Sequence, residues 1–299
     1  MDYLFTIIIP HKNIPHLLSR CLSSIPDRSD IQVIVIDDAS DSTDEVKNVC
    51  SQYENTELLL TNDNCGAGFA RNKGLERAEG KWILFADADD FFSPHLLDLI
   101  TNHYTDKADI VYFGSESIYS ESLAPSPKLD NRKKALKKYS SSPRRIEEFC
   151  RYYQTEPWGK MIKRSLIEKH HVRFDETPLA NDFYFSVATG YFAETIAFDN
   201  QTIYMYTERE GSLSHKYSGD GTTVLTRLKV YKHVQDFFDE HKIPYAPFYR
   251  YSLSEYLNKE SGFSDTVKDF WDKNSISFIK VLFRYTKDKL YQYTFGVHL

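Results

Sequence analysis

Unbroken apolar runs recur along the first 115 residues, and each is closed by a polar cluster. Phe5 to Ile9 stops at Pro10, Ile31 to Ile36 stops at Asp37-Asp38-Ala39-Ser40, and Trp82 to Ala86 stops at Asp87-Ala88-Asp89-Asp90. Runs without alternation predict strands buried on both faces. Leu17, Leu18, Cys21, Leu22 and Ile25 recur between the first two runs at helical spacing. Helices are also predicted over 42–53, 67–78 and 94–104, and strands over 57–60 and 110–113. This alternation with short connections predicts an α/β fold, a mostly parallel sheet flanked by helices. Ligands of such sheets bind outside the carboxyl ends of the strands. Three polar clusters fall at three such ends: Pro10-His11-Lys12-Asn13, Asp37-Asp38 and Asp87-Ala88-Asp89. One cluster alone reads equally well as a turn before a helix cap. Three on one edge predict a site.

Residues 114–145 change character. Ser120 to Pro127 is rich in Ser and Pro, and eight Lys or Arg follow between Lys128 and Arg145 against Asp130. A mobile basic connection is expected, either simply solvated or in contact with the phosphates of a lipid-linked acceptor or an anionic membrane. Order returns from Glu147, with helices near 165–170 and after Asp182, a strand or hairpin over 196–206, a polar loop over 209–215, and helix from 222 onward. The chain divides into a domain over 1–215, with halves 1–115 and 116–215, and a helical C-terminal region over 216–299. The tail from Phe278 mixes apolar and basic residues, so it packs on the domain or lies on a membrane surface.

A formal net charge of −6 argues against general nucleic-acid binding. Four widely spaced cysteines without metal-ligand spacing predict reduced thiols in a cytoplasmic protein. No basic leader opens the sequence and no apolar run nears the roughly 20 residues that span a bilayer. A soluble protein is expected, or one peripheral on the inner face of the membrane.

The chemistry concentrates at the third run. Extended backbone would point Asp87 and Asp89 to one side and Asp90 to the other. Two carboxylates on one side make a hard oxygen site suited to Mg²⁺ or Mn²⁺. The first strand is followed by neither a dinucleotide fingerprint nor a Walker loop. A divalent cation is then the natural partner for any phosphates. Asn64 to Asn72 adds a Gly-rich approach to a helix N-terminus, with Arg71, and both suit an anion.

These motifs together resemble the family 2 glycosyltransferases of the GT-A fold. The matching stretches are Ile7 to Asn13, Cys21 to Ser24, Val33 to Ser40, Gly68 to Leu75 and Ile83 to Asp90. A weaker match runs through Trp158-Gly159-Lys160, Asn181-Asp182 and Gly211-Ser212-Leu213-Ser214. The resemblance implies an inverting, metal-dependent transferase. It would move a sugar from a nucleotide diphosphate sugar, a UDP-sugar being favoured, to a glycan or lipid-linked acceptor. Pro10, His11, Asn13, Asp37 or Asp38, Arg71, Asp87 and Ala88 would hold the nucleotide sugar. Asp89, with Asp87, would hold the metal, and Asp182 would be the general base. Trp158 and His215 would meet the acceptor. Lys12 stands where many members carry Tyr, and Asn181 where they carry Glu. Two other readings remain: a nucleotide-sugar-binding scaffold without catalysis, and a haloacid-type phosphohydrolase, whose nucleophile would sit on the first strand.

Overall fold

A computed structural model describes residues 3–105, 107–209, 220–258 and 260–294. The apolar runs form β1 (Phe5–His11), β2 (Ile31–Asp37) and β4 (Trp82–Phe85), with β3 (Thr56–Leu60) beyond β2. Their side chains alternate between two buried layers. Phe5, Ile7, Ile9, Val33, Val35, Trp82 and Leu84 enter one; Ile8, Ile34, Ile36, Ile83 and Phe85 enter the other. That two-sided burial is why the strands read as unbroken apolar runs. Helices α1 (Pro15–Ser23) and α2 (Thr43–Cys50) cover the first layer, and α3 (Ala67–Arg77) covers the second. Helix α3 lies so close that a Cβ on Gly74 would stand 2.4 Å from Ile8 Cγ2.

Strands β3-β2-β1-β4 are parallel, and the sheet continues as β7-β6-β8-β5. Strand β7 (Lys160–Lys163) lies antiparallel between β4 and β6 (Ile110–Tyr119). Strand β8 (Ile196–Glu208) runs parallel to β6, and β5 (Phe91–Phe92) pairs antiparallel with β8. Four of the seven pairings among the described residues are parallel, as the α/β reading expects. The strand at 110–113 does not extend the parallel row, however, because β7 intervenes.

The basic stretch is not a loop. It carries α5 (Asp130–Tyr139) and α6 (Pro143–Tyr152), whose Ala135, Leu136, Tyr139 and Phe149 form a small buried cluster. Lys134, Lys137 and Lys138 stay outside. Helices α4 (Leu96–His103), α7 (Arg164–Lys169) and α8 (Phe183–Phe192) follow the expected positions closely. The C-terminal region is helical, with α9 (Gly221–Glu240), α10 (Pro247–Leu257), α11 (Ser264–Lys273) and α12 (Phe278–Thr294). Val234, Phe237 and Phe238 of α9 join the second sheet layer, so packing is continuous across the expected boundary at 215. Helices α10 to α12 add their own cluster around Phe248, Leu253, Trp271 and Val281. One face of α12 packs there, while Ile279, Phe283 and Leu290 are exposed. No helix among the described residues is long and apolar enough to cross a membrane. Cys21, Cys50 and Cys150 are buried free thiols and Cys65 is an exposed one.

Candidate active site

The chain leaves β4 in a turn closed by the Asp90 amide donating to the Asp87 carbonyl at 3.0 Å. Asp90 points inward. The Tyr204 hydroxyl donates to it at 2.9 Å and the Thr207 amide at 2.6 Å. Burial, with Asp89 and Asp87 adding, holds its carboxyl well above the usual range. Asp90 therefore fastens the turn to β8 and is not offered to a ligand. Ala88 is buried between the two outward carboxylates. The Asp87 side chain is 32% exposed and that of Asp89 22%. The expected division, with Asp87 and Asp89 outward and Asp90 inward, holds.

Each outward carboxylate meets an arginine. Arg71 donates to Asp87 Oδ1 at 2.5 Å, and Arg209 Nε donates to Asp89 Oδ2 at 2.9 Å. Arg20 and Thr207 fix the backbone of the turn through the Asp89 carbonyl, each at 2.6 Å. Arg71 was expected to meet an anion. It is instead 5% exposed, and its second terminal nitrogen donates to Asn181 Oδ1 at 2.8 Å. It forms a buried link between the end of β4 and the segment before α8.

The Gly-rich approach serves the same link. A Cβ on Gly68 would stand 2.1 Å from the Asp175 carbonyl oxygen and 3.0 Å from Asn181 Cβ. Only glycine lets the N-terminus of α3 approach 175–181 so closely. That segment ends in Ala180, a non-glycine residue at φ 53°, then Asn181 and Asp182. Asp182 occupies the N-cap position of α8, yet its side chain makes no capping hydrogen bond. Burial pushes its carboxyl up to about 6, with Arg71 opposing and Glu156 and Asp87 adding to the rise. That brings its protonation equilibrium close to neutrality.

The other two clusters are tied into the protein. His11 Nε2 accepts from the Ile14 amide at 3.2 Å, so Nδ1 carries the proton and donates to Asp37 Oδ1 at 2.7 Å. Ser40 donates to Asp37 through its amide and hydroxyl. Asp38 accepts from the amides of Cys65 and Gly66 at 2.9 and 2.7 Å. His11, Asp37 and Asp38 are all buried. The polar atoms of these three have protein partners, which hold the ends of β1 and β2 together. The surface here is left to half-buried Pro10 and Lys12 and to exposed Asn13, which exchanges hydrogen bonds with Asp41. Lys12 itself donates to the carbonyls of Asp38 and Ala39.

Trp158, expected at the acceptor, is 4% exposed. Tyr204 stacks on it at 4.8 Å and the Arg132 guanidinium lies over its ring. It is a buried platform rather than an open acceptor surface, since Tyr204 and the Arg132 guanidinium cover its ring. His215 and the Gly211 to Ser214 motif lie outside the described residues. Two further residues had gone unassigned. Arg209 opens the polar loop, with only its charge as a signal. Lys160, in the Trp158-Gly159-Lys160 motif, is buried and donates to the Gln154 carbonyl and Ser186 Oγ. Burial lowers its ammonium to about 7, with Glu156 and Asp182 opposing the fall.

The donor set suits a divalent cation. Asp89 is pushed above the usual carboxylate range by burial and by the charge of Asp87, with Arg209 opposing. Asp89 and Asp87 would hold such an ion, whose charge would offset that repulsion. No cluster of three or more potential protein ligands exists among the described residues.

A sheet whose parallel half ends in paired carboxylates, with an antiparallel extension bringing a third, defines a GT-A-type fold. Residues 6–171 match the profile described as glycosyl transferase family 2, and the chain belongs to that family. It is 26% identical over 292 residues to glycosyltransferase GlyA of Streptococcus pneumoniae, covering 89% of this chain and 40% of that protein. It is 27% identical over 285 residues to TarS, the poly(ribitol-phosphate) beta-N-acetylglucosaminyltransferase of Staphylococcus aureus, covering 88% and 45%. The chain thus spans less than half the length of these two relatives. Among solved structures it resembles residues 1–349 of S. aureus TarS in complex with UDP-GlcNAc, with TM-score 0.56 and 17% identity, covering 97% of this chain and 91% of that one. It also resembles the mannosyltransferase PcManGT from Pyrobaculum calidifontis in complex with GDP-Man and Mn²⁺, with TM-score 0.59 and 14% identity, covering 98% and 82%.

Proposed function

We propose that the chain is an inverting glycosyltransferase. It moves a sugar from a nucleotide diphosphate sugar, a UDP-sugar being favoured, to a hydroxyl of a glycan or lipid-linked acceptor. The observation that carries this reading is Asp182. It is an uncapped carboxylate held near neutrality and tied through Asn181 and Arg71 to Asp87. The acceptor oxygen attacks the anomeric carbon as the bond to the diphosphate breaks, and its proton passes to the Asp182 carboxylate. One carboxylate suffices, because inversion needs no covalent sugar intermediate. Asp89 and Asp87 would hold Mn²⁺ or Mg²⁺, which when bound neutralises charge on the leaving diphosphate. Arg71 keeps the donor and base segments in register. Pro10, Lys12 and Asn13 would face the nucleotide base, with His11, Asp37 and Asp38 as their support. The names of the relatives favour a glycan acceptor and the complexes of the structural neighbours favour a nucleotide-sugar donor.

A thermal-shift screen with UDP, GDP, CDP and dTDP, each with and without Mn²⁺, tests the donor assignment. Stabilisation by one nucleotide that requires Mn²⁺ is expected. Stabilisation by none would overturn the assignment.

A further inference from the structure

A cavity of about 450 Å³ opens between α6, α8, α9 and α10. Its walls are largely aromatic, with Tyr152, Phe183, Tyr231 and Tyr251 among them, and Arg250 lines it as well. Phe183 packs edge-on to Tyr231 at 5.0 Å, and Tyr231 leans on Tyr251 at 4.8 Å. No residue of the β1, β2 or β4 ends contributes, so this space is separate from the donor clusters.

It adjoins the base. Phe183 follows Asp182 directly in the chain. Burial raises the Tyr231 phenol above its usual range, with the charges of Arg227 and Arg250 opposing and that of Asp182 adding. Tyr231 and Arg250 both line the cavity, and Phe183, next to Asp182 in the chain, packs on the Tyr231 ring. Arg250 turns its Nε edge to the buried Asp288, 3.3 Å away. A guanidinium carries five donors in a fixed fork, so the other edge remains suited to an anion. Glu255 is the acidic group acting on Tyr251 from the same helix.

The volume falls in the range of small-ligand sites, and phenolic walls offer a sugar ring both apolar faces and hydroxyl partners. Asp288 already supplies a counter-charge on the Nε edge, so what is left for an occupant is the remaining donors of the guanidinium. We propose that this cavity is the acceptor subsite and takes a phosphate-bearing sugar or polyol, its carbons against Tyr231 and Tyr251 and its phosphate on Arg250. The assignment rests on Asp182 being the base.

The test uses the full chain and calorimetry with N-acetylglucosamine 1-phosphate, sn-glycerol 3-phosphate and, as the uncharged control, N-acetylglucosamine. At least one phosphate should bind ten times tighter than the control. A tighter sugar phosphate indicates a lipid-linked acceptor, and a tighter glycerol phosphate a polyol-phosphate chain. Ser254 lies exposed at the cavity lining, so Ser254→Trp plugs the space without opening the core. It should weaken phosphate binding at least tenfold and leave nucleotide stabilisation unchanged. Arg250→Lys keeps a charge beside Asp288 and should weaken the phosphates but not the control. Equal binding of all three probes, binding untouched by both variants, or displacement of the phosphates by UDP would overturn the proposal. Failure of the donor reading shows separately, as absence of nucleotide stabilisation in the unmodified chain.

Discussion

Replacing Asp182 by Asn separates its chemical role from its structural one. The carboxyl moves from an ordinary 3.8 to about 6 on folding. At about 1.4 kcal/mol per unit, the ionised form carries a penalty of about 3 kcal/mol. Below pH 3.8 the group is neutral in both states and the penalty is absent. It grows as pH rises and is complete above pH 6. Solvent at the site and loss of the attraction to Lys160 reduce the return, so Asp182→Asn should gain about 1–3 kcal/mol at pH 7.5. The gain should vanish at pH 4. Thermal melts of both proteins from pH 4 to 8 measure it. Nucleotide stabilisation should be retained, while transfer should fall by about 10² to 10⁴-fold. In the unmodified protein, kcat/KM should drop tenfold per pH unit below about 6. A stability gain equal at pH 4 and 7.5, or full transfer by the Asn variant, would refute the reasoning.

Asp89→Ala should remove Mn²⁺-dependent nucleotide stabilisation, worth about 2.7 kcal/mol at 100 times the dissociation constant, without lowering the melting temperature of the free protein. Gly68→Ala places a Cβ against the Asp175 carbonyl; it should cost about 1–3 kcal/mol in urea denaturation and slow transfer, and a neutral result would dismiss the close approach. Arg71→Lys keeps the charge but cannot serve Asp87 and Asn181 together, so kcat/KM should fall about tenfold to a hundredfold, which steady-state kinetics would show.

The parallel half of the sheet and its three polar ends were legible because β1, β2 and β4 are buried on both faces and leave a plain apolar signature. The division of Asp87 and Asp89 from Asp90 matched the alternation of an extended strand, although the backbone there is a turn and Asp90 is held inward by β8. Strand β7 was invisible, since Lys160-Met161-Ile162-Lys163 is four residues with charge at both ends. The basic helices were hidden because only Ala135, Leu136, Tyr139, Phe149 and Cys150 are buried among many charged positions. The roles of Arg71, His11, Asp37 and Asp38 could not be read, because each depends on a partner distant in sequence. A carboxylate that faces a ligand and one that holds two loop amides look alike on the page.

The hydrogen bond from Arg71 to Asn181 spans 110 residues. The parallel row β1 to β4, by contrast, is all in place by Phe85. Contacts of such unequal separation form at different times, and a chain emerging from the ribosome orders its early part first. A nascent protein that has reached Asp89 carries both outward carboxylates but neither β7 nor Asp182. On the proposed mechanism, the carboxylates assigned to the cation are made well before the one assigned to the proton, so transfer would have to wait for the later segment.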